Sequence, residues 1–327
     1  MIDAMPVRDL VAALDRPLGL EALLERDPPL VVVDLDDDGT GGVARAREVL
    51  AALPIVVVGR GAGASAAADL VDVVVDRDDD ASLARIAENA GRVPLAATAL
   101  AVLLRGAENR SINEGLAAES SVYSMLQAGP EFASWRASCP PRVRPGREHA
   151  VVVRRDDDVL HVTLSRPEVH NALNTQMRDE LYEALLVAAA DPKLSVVLDG
   201  EGASFCAGGD LDEFGARSDP ASAHHIRLRR SIGRVIASMA GRVTATVHGA
   251  CMGSGIELPA FAGRVVARPD ARFGLPELGL GLIPGAGGTV SLTRRIGRHR
   301  TGYLAFGGIE IDAPTALSWG LVDAVVT

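Results

Sequence analysis

The alternation of apolar and polar positions divides the chain into strand-length and helix-length segments that follow one another in the same order in both halves. Late in the chain VLHVTLSR alternates with period two and predicts a strand, NTQMRDELYEALLVAAADP has the spacing of an amphipathic helix, and LSVVLDGEG is a short apolar strand running into a loop. RLRRSIGRVIASMAG adds a helical period and VTATVHGA another buried strand. Strand, helix, strand is the crossover unit of a parallel sheet, so this half reads as repeated α/β units. Early in the chain PLVVVDLDD, GVARAREVLAAL and PIVVVGRG form a second such passage, followed by DLVDVVV and two helical stretches between about Ala81 and Trp135. ASCPPRVRPGRE has no periodicity and concentrates proline and arginine, which predicts a linker over 137–148 between a first part, 1–136, and a second, 149–327. The two parts share a phrase: Asp69 to Val75, DLVDVVV, echoes Gly320 to Val326, GLVDAVV.

Composition narrows the partners. With 327 residues, 48% of them hydrophobic, the chain can build a large core. Aromatic residues make up only 3% and the formal charge is -10, which argues against stacking bases, binding a duplex or adhering to an anionic bilayer. An anionic ligand has to be met by local dipoles. Cys139, Cys206 and Cys251 are odd in number and widely spaced, so neither a disulfide framework nor a zinc site is expected. MIDAMPVRDL has no basic-then-apolar leader pattern, and PIVVVG is too short to span a bilayer. The expectation is a cytoplasmic protein of a reducing compartment, with no metal, no nucleic acid and no membrane.

Three segments carry candidate chemistry. GASFCAGGDLDEF, Gly202 to Phe214, ends a strand in small residues whose backbone N–H groups can be exposed in a tight turn. HGACMGSGIELPAF, His248 to Phe261, places Glu257 in otherwise apolar first turns of a helix, where burial raises a carboxyl pKa and suits it to acid/base work. RFGLPELGLGLIPGAGGTVSLTRRIG puts Glu277 in an apolar loop before a glycine-rich helix start. Two glutamates beside two glycine-rich turns would serve proton transfer next to a thioester carbonyl, the N–H groups holding an enolate oxygen. The same residue types also serve as a helix N-terminal acid and a loop glutamate bonded to amides.

RPEVHNALN, SFCAGGDL, GACMGSGIEL, FGLPELGLGLIPGAGGT and GLVDAVV, in this order and spacing, resemble the enoyl-CoA hydratase/isomerase (crotonase) family from about Glu148 to Thr327. The resemblance implies an α/β fold of ββα turns wound in a spiral, with coenzyme A present as part of a thioester substrate and no separate cofactor. It implies an oxyanion hole from the N–H groups of Ala207 and Ser254. Glu257 would activate the water that attacks the β-carbon and Glu277 would deliver the α-proton, while Gly208, Gly209, Asp210 and Leu211 would pass the adenine end of coenzyme A. The implied activity is hydration of a 2-enoyl-CoA, as in fatty acid metabolism, with an isomerase, a thioester hydrolase or a non-catalytic CoA-binding subunit as alternatives. Ser254 stands where the family commonly has glycine. Arg105 is the only cation following the helix that in the family offers a lysine to a CoA phosphate. A homo-oligomer, trimer or hexamer, is expected.

Family members continue past GLVDAVV into helices that close the acyl pocket, and residues 69–135 resemble that tail. The first part therefore reads as a shortened, degenerate module of the same kind whose helices supply the closing elements from the same chain or a neighbour. Residues 54–75 resemble an abbreviated copy of the strand-turn-strand around Glu257, without a glutamate. His224-His225 reads as solvated surface, Cys206 as a small buried filler, and the acidic runs at Asp34–Asp38, Asp76–Asp80 and Asp156–Asp158 as solvated turns.

Overall fold

The computed structural model describes residues 3–36, 41–61, 66–142, 147–216 and 219–326. Part of the linker, 143–146, residues 62–65, and Asp37 and Asp38 of the first acidic run lie outside the described residues.

Strands β1 (Met5–Pro6), β2 (Leu30–Asp34), β3 (Val56–Arg60) and β4 (Val73–Val75) form a four-stranded parallel sheet in sequence order. Helices α1 (Val7–Leu14), α2 (Pro17–Leu24) and α3 (Val43–Leu50) accompany it. The first two were not anticipated, although Val7, Leu10, Val11 and Leu14 mark a buried face at helical spacing. Four helices then follow where two stretches were expected: α4 (Asp80–Arg92), α5 (Pro94–Arg105), α6 (Ile112–Gln127) and α7 (Pro130–Ser138). Local chemistry explains the breaks. Asp79 caps α4 through the Ser82 N–H, Pro94 opens α5 at a position needing no N–H, and Ser111 with Glu114 forms a reciprocal capping box on α6.

Past the linker, β5 (Val151–Asp156) and β6 (Val159–Leu164) make an antiparallel hairpin, and α8 (Thr175–Ala190) crosses to β7 (Ser195–Gly200). Helices α9 (Pro220–Arg229) and α10 (Ile232–Ser238) lead to β8 (Val243–Val247), then β9 (Ala250–Met252), the single turn α11 (Ser254–Glu257), β10 (Arg264–Ala267) and β11 (Arg272–Gly274). The chain finishes through α12 (Gly288–Gly307, broken at Gly297), β12 (Ile311–Asp312), α13 (Ala313–Trp319) and β13 (Ala324–Val325). A six-stranded sheet runs β13-β10-β8-β7-β6-β5 and a three-stranded one β12-β11-β9. The α/β class expected from periodicity is observed. No helix among the described residues is long and apolar enough to cross a membrane.

The covalent linker is not a packing boundary. Alternation along the first sheet sends Val31, Val33 and Val57 into a small core with α1 and α3, and sends Leu30, Val32, Val56 and Val58 into the main core, which is continuous with the second half. Helices α4, α5 and α6 pack on α12, and α6 also packs on α9. Polar bonds accompany these contacts: Asn89 Nδ2 donates to Phe306 O at 2.8 Å, and Ser82 Oγ lies 2.8 Å from Tyr303 Oη. Within this chain the helices of the first half therefore pack against the second half.

The echoed phrase has an echoed geometry. Asp72 donates its N–H to Val57 O (2.7 Å) and its Oδ2 accepts from Val57 N (2.8 Å). Asp323 does the same with Val265, at 2.8 and 2.6 Å. An arginine closes each arrangement, Arg105 at 2.7 Å from Asp72 and Arg295 at 3.2 Å from Asp323.

Candidate active site

Strand β9 ends at Met252, and Gly253, at φ +49° and ψ -122°, turns the chain into α11. A Cβ on Gly253 would meet Glu277 Oε1 at 2.3 Å and Glu257 Oε1 at 3.7 Å, so the two carboxylates converge over a residue that must lack a side chain. Ser254 takes up a right-handed helical position with no positive φ, so the constraint that would demand glycine falls on Gly253. The Ser254 hydroxyl faces Cys206 Sγ at 3.8 Å.

Both glutamates are buried. Glu257 Oε2 accepts from Ala286 N (2.8 Å) and Gly288 N (2.7 Å), the amides of the PGAGGT turn. Glu277 is held in a 3-10 turn, Glu277–Leu280, and its buried Oε2 has no hydrogen-bond partner. Burial pushes the Glu257 carboxyl up to about 7, with the two amides acting against the rise. It pushes Glu277 well above the ordinary range, and the nearby Glu257 charge adds to this. Both carboxyls therefore hold their protons more tightly than exposed glutamates do.

A third carboxylate that sequence reasoning missed comes from the first half. Glu119 of α6 is 2% exposed, and it accepts from Gly287 N (2.7 Å), Thr289 N (2.9 Å) and Thr289 Oγ1 (2.7 Å). Successive amides of the turn thus alternate between Glu257 and Glu119. Burial, then the Glu257 charge, raises Glu119 to about 8. The signal lay in GLAAES: a glutamate between apolar positions of an amphipathic helix is as awkward as Glu257, but its partner lies 168 residues away.

Glu257, Glu277, Gly209, Ser254, Leu173, Tyr123 and Arg227 line one cavity of about 150 Å³. The oxyanion assignment needs one correction. The Ala207 N–H is committed to His170 O at 2.9 Å, so Ala207 cannot donate to a ligand. The neighbouring Gly209 N–H has no acceptor among the described residues, nor has that of Ser254 at the first position of α11, and both residues face the cavity.

Other expected site residues divide. Asp210 is buried, paired with Arg166 at 2.9 Å, and joins RPEVHNALN to CAGGDL rather than meeting a ligand. Leu211 is exposed and its carbonyl accepts from Arg136 of α7 at 2.6 Å. Gly208 O accepts from Leu173 N at 2.8 Å. Arg105 cannot serve a CoA phosphate, because Asp72 and the carbonyls of Leu50, Leu53 and Ile55 take its guanidinium. A larger cavity, about 840 Å³, borders it between α3 and α5, and neither glutamate lines it. His224 is not solvated surface: it is half-buried, with Nδ1 2.9 Å from Ser120 Oγ of α6.

Two buried glutamates and two backbone amides without acceptors among the described residues thus face one cavity. A model of the family "Enoyl-CoA hydratase/isomerase" matches residues 154–327, more than half of the chain. The 2,3-dehydroadipyl-CoA hydratase of Escherichia coli (strain K12) is 37% identical over 176 residues, covering 54% of this chain and 68% of that protein. The short-chain-enoyl-CoA hydratase of Clostridium acetobutylicum is 34% identical over 178 residues, covering 54% and 68%. The crystal structure of an enoyl-CoA hydratase from Thermoplasma volcanium GSS1 superposes with a TM-score of 0.51 at 37% identity, over 55% of this chain and 72% of that one. The matched share of these curated relatives is thus about two thirds of their length, falling to 58% in the probable enoyl-CoA hydratase 2, mitochondrial, of Arabidopsis thaliana. The chain belongs to the enoyl-CoA hydratase/isomerase family.

Proposed function

We propose that the protein hydrates a short 2-enoyl-CoA, with coenzyme A entering as part of the substrate and no separate cofactor. The observation that carries this reading is the convergence of Glu257 and Glu277 over Gly253, in one cavity with the free amides of Gly209 and Ser254. The amides hold the thioester oxygen as negative charge develops on it. Glu257, whose carboxylate the Ala286 and Gly288 amides stabilise, takes a proton from water while the water oxygen bonds to the β-carbon. The electron pair of the double bond moves to the α-carbon, which takes the proton of Glu277. The glutamates exchange protons with solvent before the next cycle. Each oxyanion donor contributes about 3 kcal/mol in enzymes that use one.

The reading extends to the first half, taken as a shortened module of the same kind: the Asp72 junction repeats the Asp323 junction bond for bond, and α4–α7 close the acyl end of the cavity through Glu119 and Tyr123. A cytoplasmic homo-oligomer, trimer or hexamer, belongs to the same proposal. The test is loss of the conjugated thioester absorbance of crotonyl-CoA, with Glu257→Gln and Glu277→Gln as controls. Turnover lost in both variants supports hydration; release of free thiol instead would replace it with hydrolysis.

A further inference from the structure

The hydration reading leaves one group in the cavity without a task. Arg227 of α9 lines the cavity that holds the glutamates and two neighbouring cavities of about 170 and 190 Å³. Its Nε donates to Ser120 Oγ at 3.0 Å, one Nη donates to Ser124 Oγ, and the guanidinium stacks 4.7 Å from the centroid of the Tyr123 ring. All three partners are neutral. Arg105, Arg166 and Arg295 each have a carboxylate within ion-pairing distance, whereas Arg227 has none among the described residues.

The buried glutamates do not fill that gap. Both oxygens of Glu119 are taken by the amides and hydroxyl of the PGAGGT turn, Glu257 Oε2 is taken by two more, and the buried Glu277 Oε2 makes no hydrogen bond to the arginine or to any other group among the described residues. A half-buried guanidinium stays charged, and without a counter-ion it is costly. Burial disfavours the charge, against which Tyr123 and Glu119 act only weakly. Holding such a group rigidly on two hydroxyls and a ring, with its second Nη free, suits it to an anion that arrives with the ligand. Its planar fork matches a carboxylate.

We propose that Arg227 receives a carboxylate at the far end of the acyl chain, so that the substrate is a short dicarboxylic 2-enoyl-CoA; this rests on the thioester reading of the site given above. A space of about 150 Å³ holds a ligand the size of benzene, which limits the acyl group to a few carbons between the thioester and the arginine. Ser120 and Ser124 are positioning residues for Arg227, which makes α6 a determinant of specificity as well as a wall.

The experiment compares kcat/KM for crotonyl-CoA with that for glutaconyl-CoA, the same chain carrying a terminal carboxylate, and for its one-carbon-longer homologue, in the wild type, Arg227→Met and Arg227→Lys. The wild type should prefer a dicarboxylic substrate by on the order of 100-fold or more, Arg227→Met should erase that preference, and Arg227→Lys should keep part of it. Equal losses on all substrates in Arg227→Met would overturn the proposal and assign the arginine to the CoA phosphates, which every substrate shares. If the wild type hydrates none of them, the hydration reading fails on its own. The arginine is then read by calorimetric binding of glutaryl-CoA against butyryl-CoA, which needs no reaction and no variant. Tighter binding of glutaryl-CoA supports the carboxylate site, and equal affinities exclude it.

Discussion

The two Leu-Val-Asp junctions make the same backbone bonds in different surroundings. At the first, Asp72 and Arg105 have side chains 0% and 8% exposed, and Arg105 also collects three carbonyls from the end of α3 and the approach to β3. At the second, Asp323 is 40% exposed at the edge of the large sheet, and Arg295, which likewise collects the carbonyls of Ala260 and Ala262, reaches it at 3.2 Å. One arrangement is a buried anchor between the small sheet and α5, the other the margin of a sheet already held by its own core. The first half commits a fully buried ion pair to holding a helix against its sheet, whereas the matching aspartate of the second half stays partly in water.

That division can be broken by substitution. Glu257→Gln removes the group proposed to accept the proton of water and should lower kcat for crotonyl-CoA by about 10²- to 10⁴-fold while the protein stays folded, as circular dichroism would report. Asp72→Asn leaves Arg105 buried without its counter-charge and should cost about 3–5 kcal/mol in urea unfolding. Retention of full stability would show that the carbonyls alone satisfy Arg105. Glu119→Gln turns an amide toward a backbone N–H and shifts the turn that holds Glu257, so kcat should fall by about 10- to 100-fold with KM less affected. Asp323→Asn should cost less, about 1 kcal/mol, because the Asp323 carboxylate is 40% exposed and Arg295 keeps the carbonyls of Ala260 and Ala262. If the two aspartate variants were equally harmful, burial would not be what separates the junctions.

The buried acids also tie stability to pH. Glu257 and Glu119, raised to about 7 and about 8, hold protons in the folded state that the unfolded chain releases near its ordinary 4.5. The folded state binds more protons across that window, so stability should fall as pH rises from about 4.5 to about 8. Glu119→Gln should flatten this slope. Melting temperatures measured across the window would show it, and a rising curve would contradict the raised proton affinities of Glu257 and Glu119.

Much of this was legible in the chain before its fold. Period-two runs such as VLHVTLSR and PLVVVD became β6 and β2, because alternation is itself the geometry of a half-buried strand. Glu257 and Glu277 stood out as carboxylates inside apolar sequence, and both are buried in one cavity. The CAGGD turn was found, but its cavity-facing amide was placed two residues early: which N–H of a tight turn is free depends on where the His170 carbonyl lands, and that carbonyl comes from another loop. The short helices α1 and α2 escaped notice because eight residues give barely two turns of periodicity.

The sequence by itself determined the α/β class, the family, the paired glutamates and the repeated Leu-Val-Asp phrase, because each is carried by neighbouring residues whose spacing is fixed by the backbone. Only the tertiary structure decided that Glu119 joins those glutamates, that Gly209 and not Ala207 offers its amide, that Arg105 is spent on Asp72, and that Arg227 stands without a counter-ion. Each depends on which groups meet across more than thirty residues of chain, where partners are chosen by packing of cores and satisfaction of buried polar atoms.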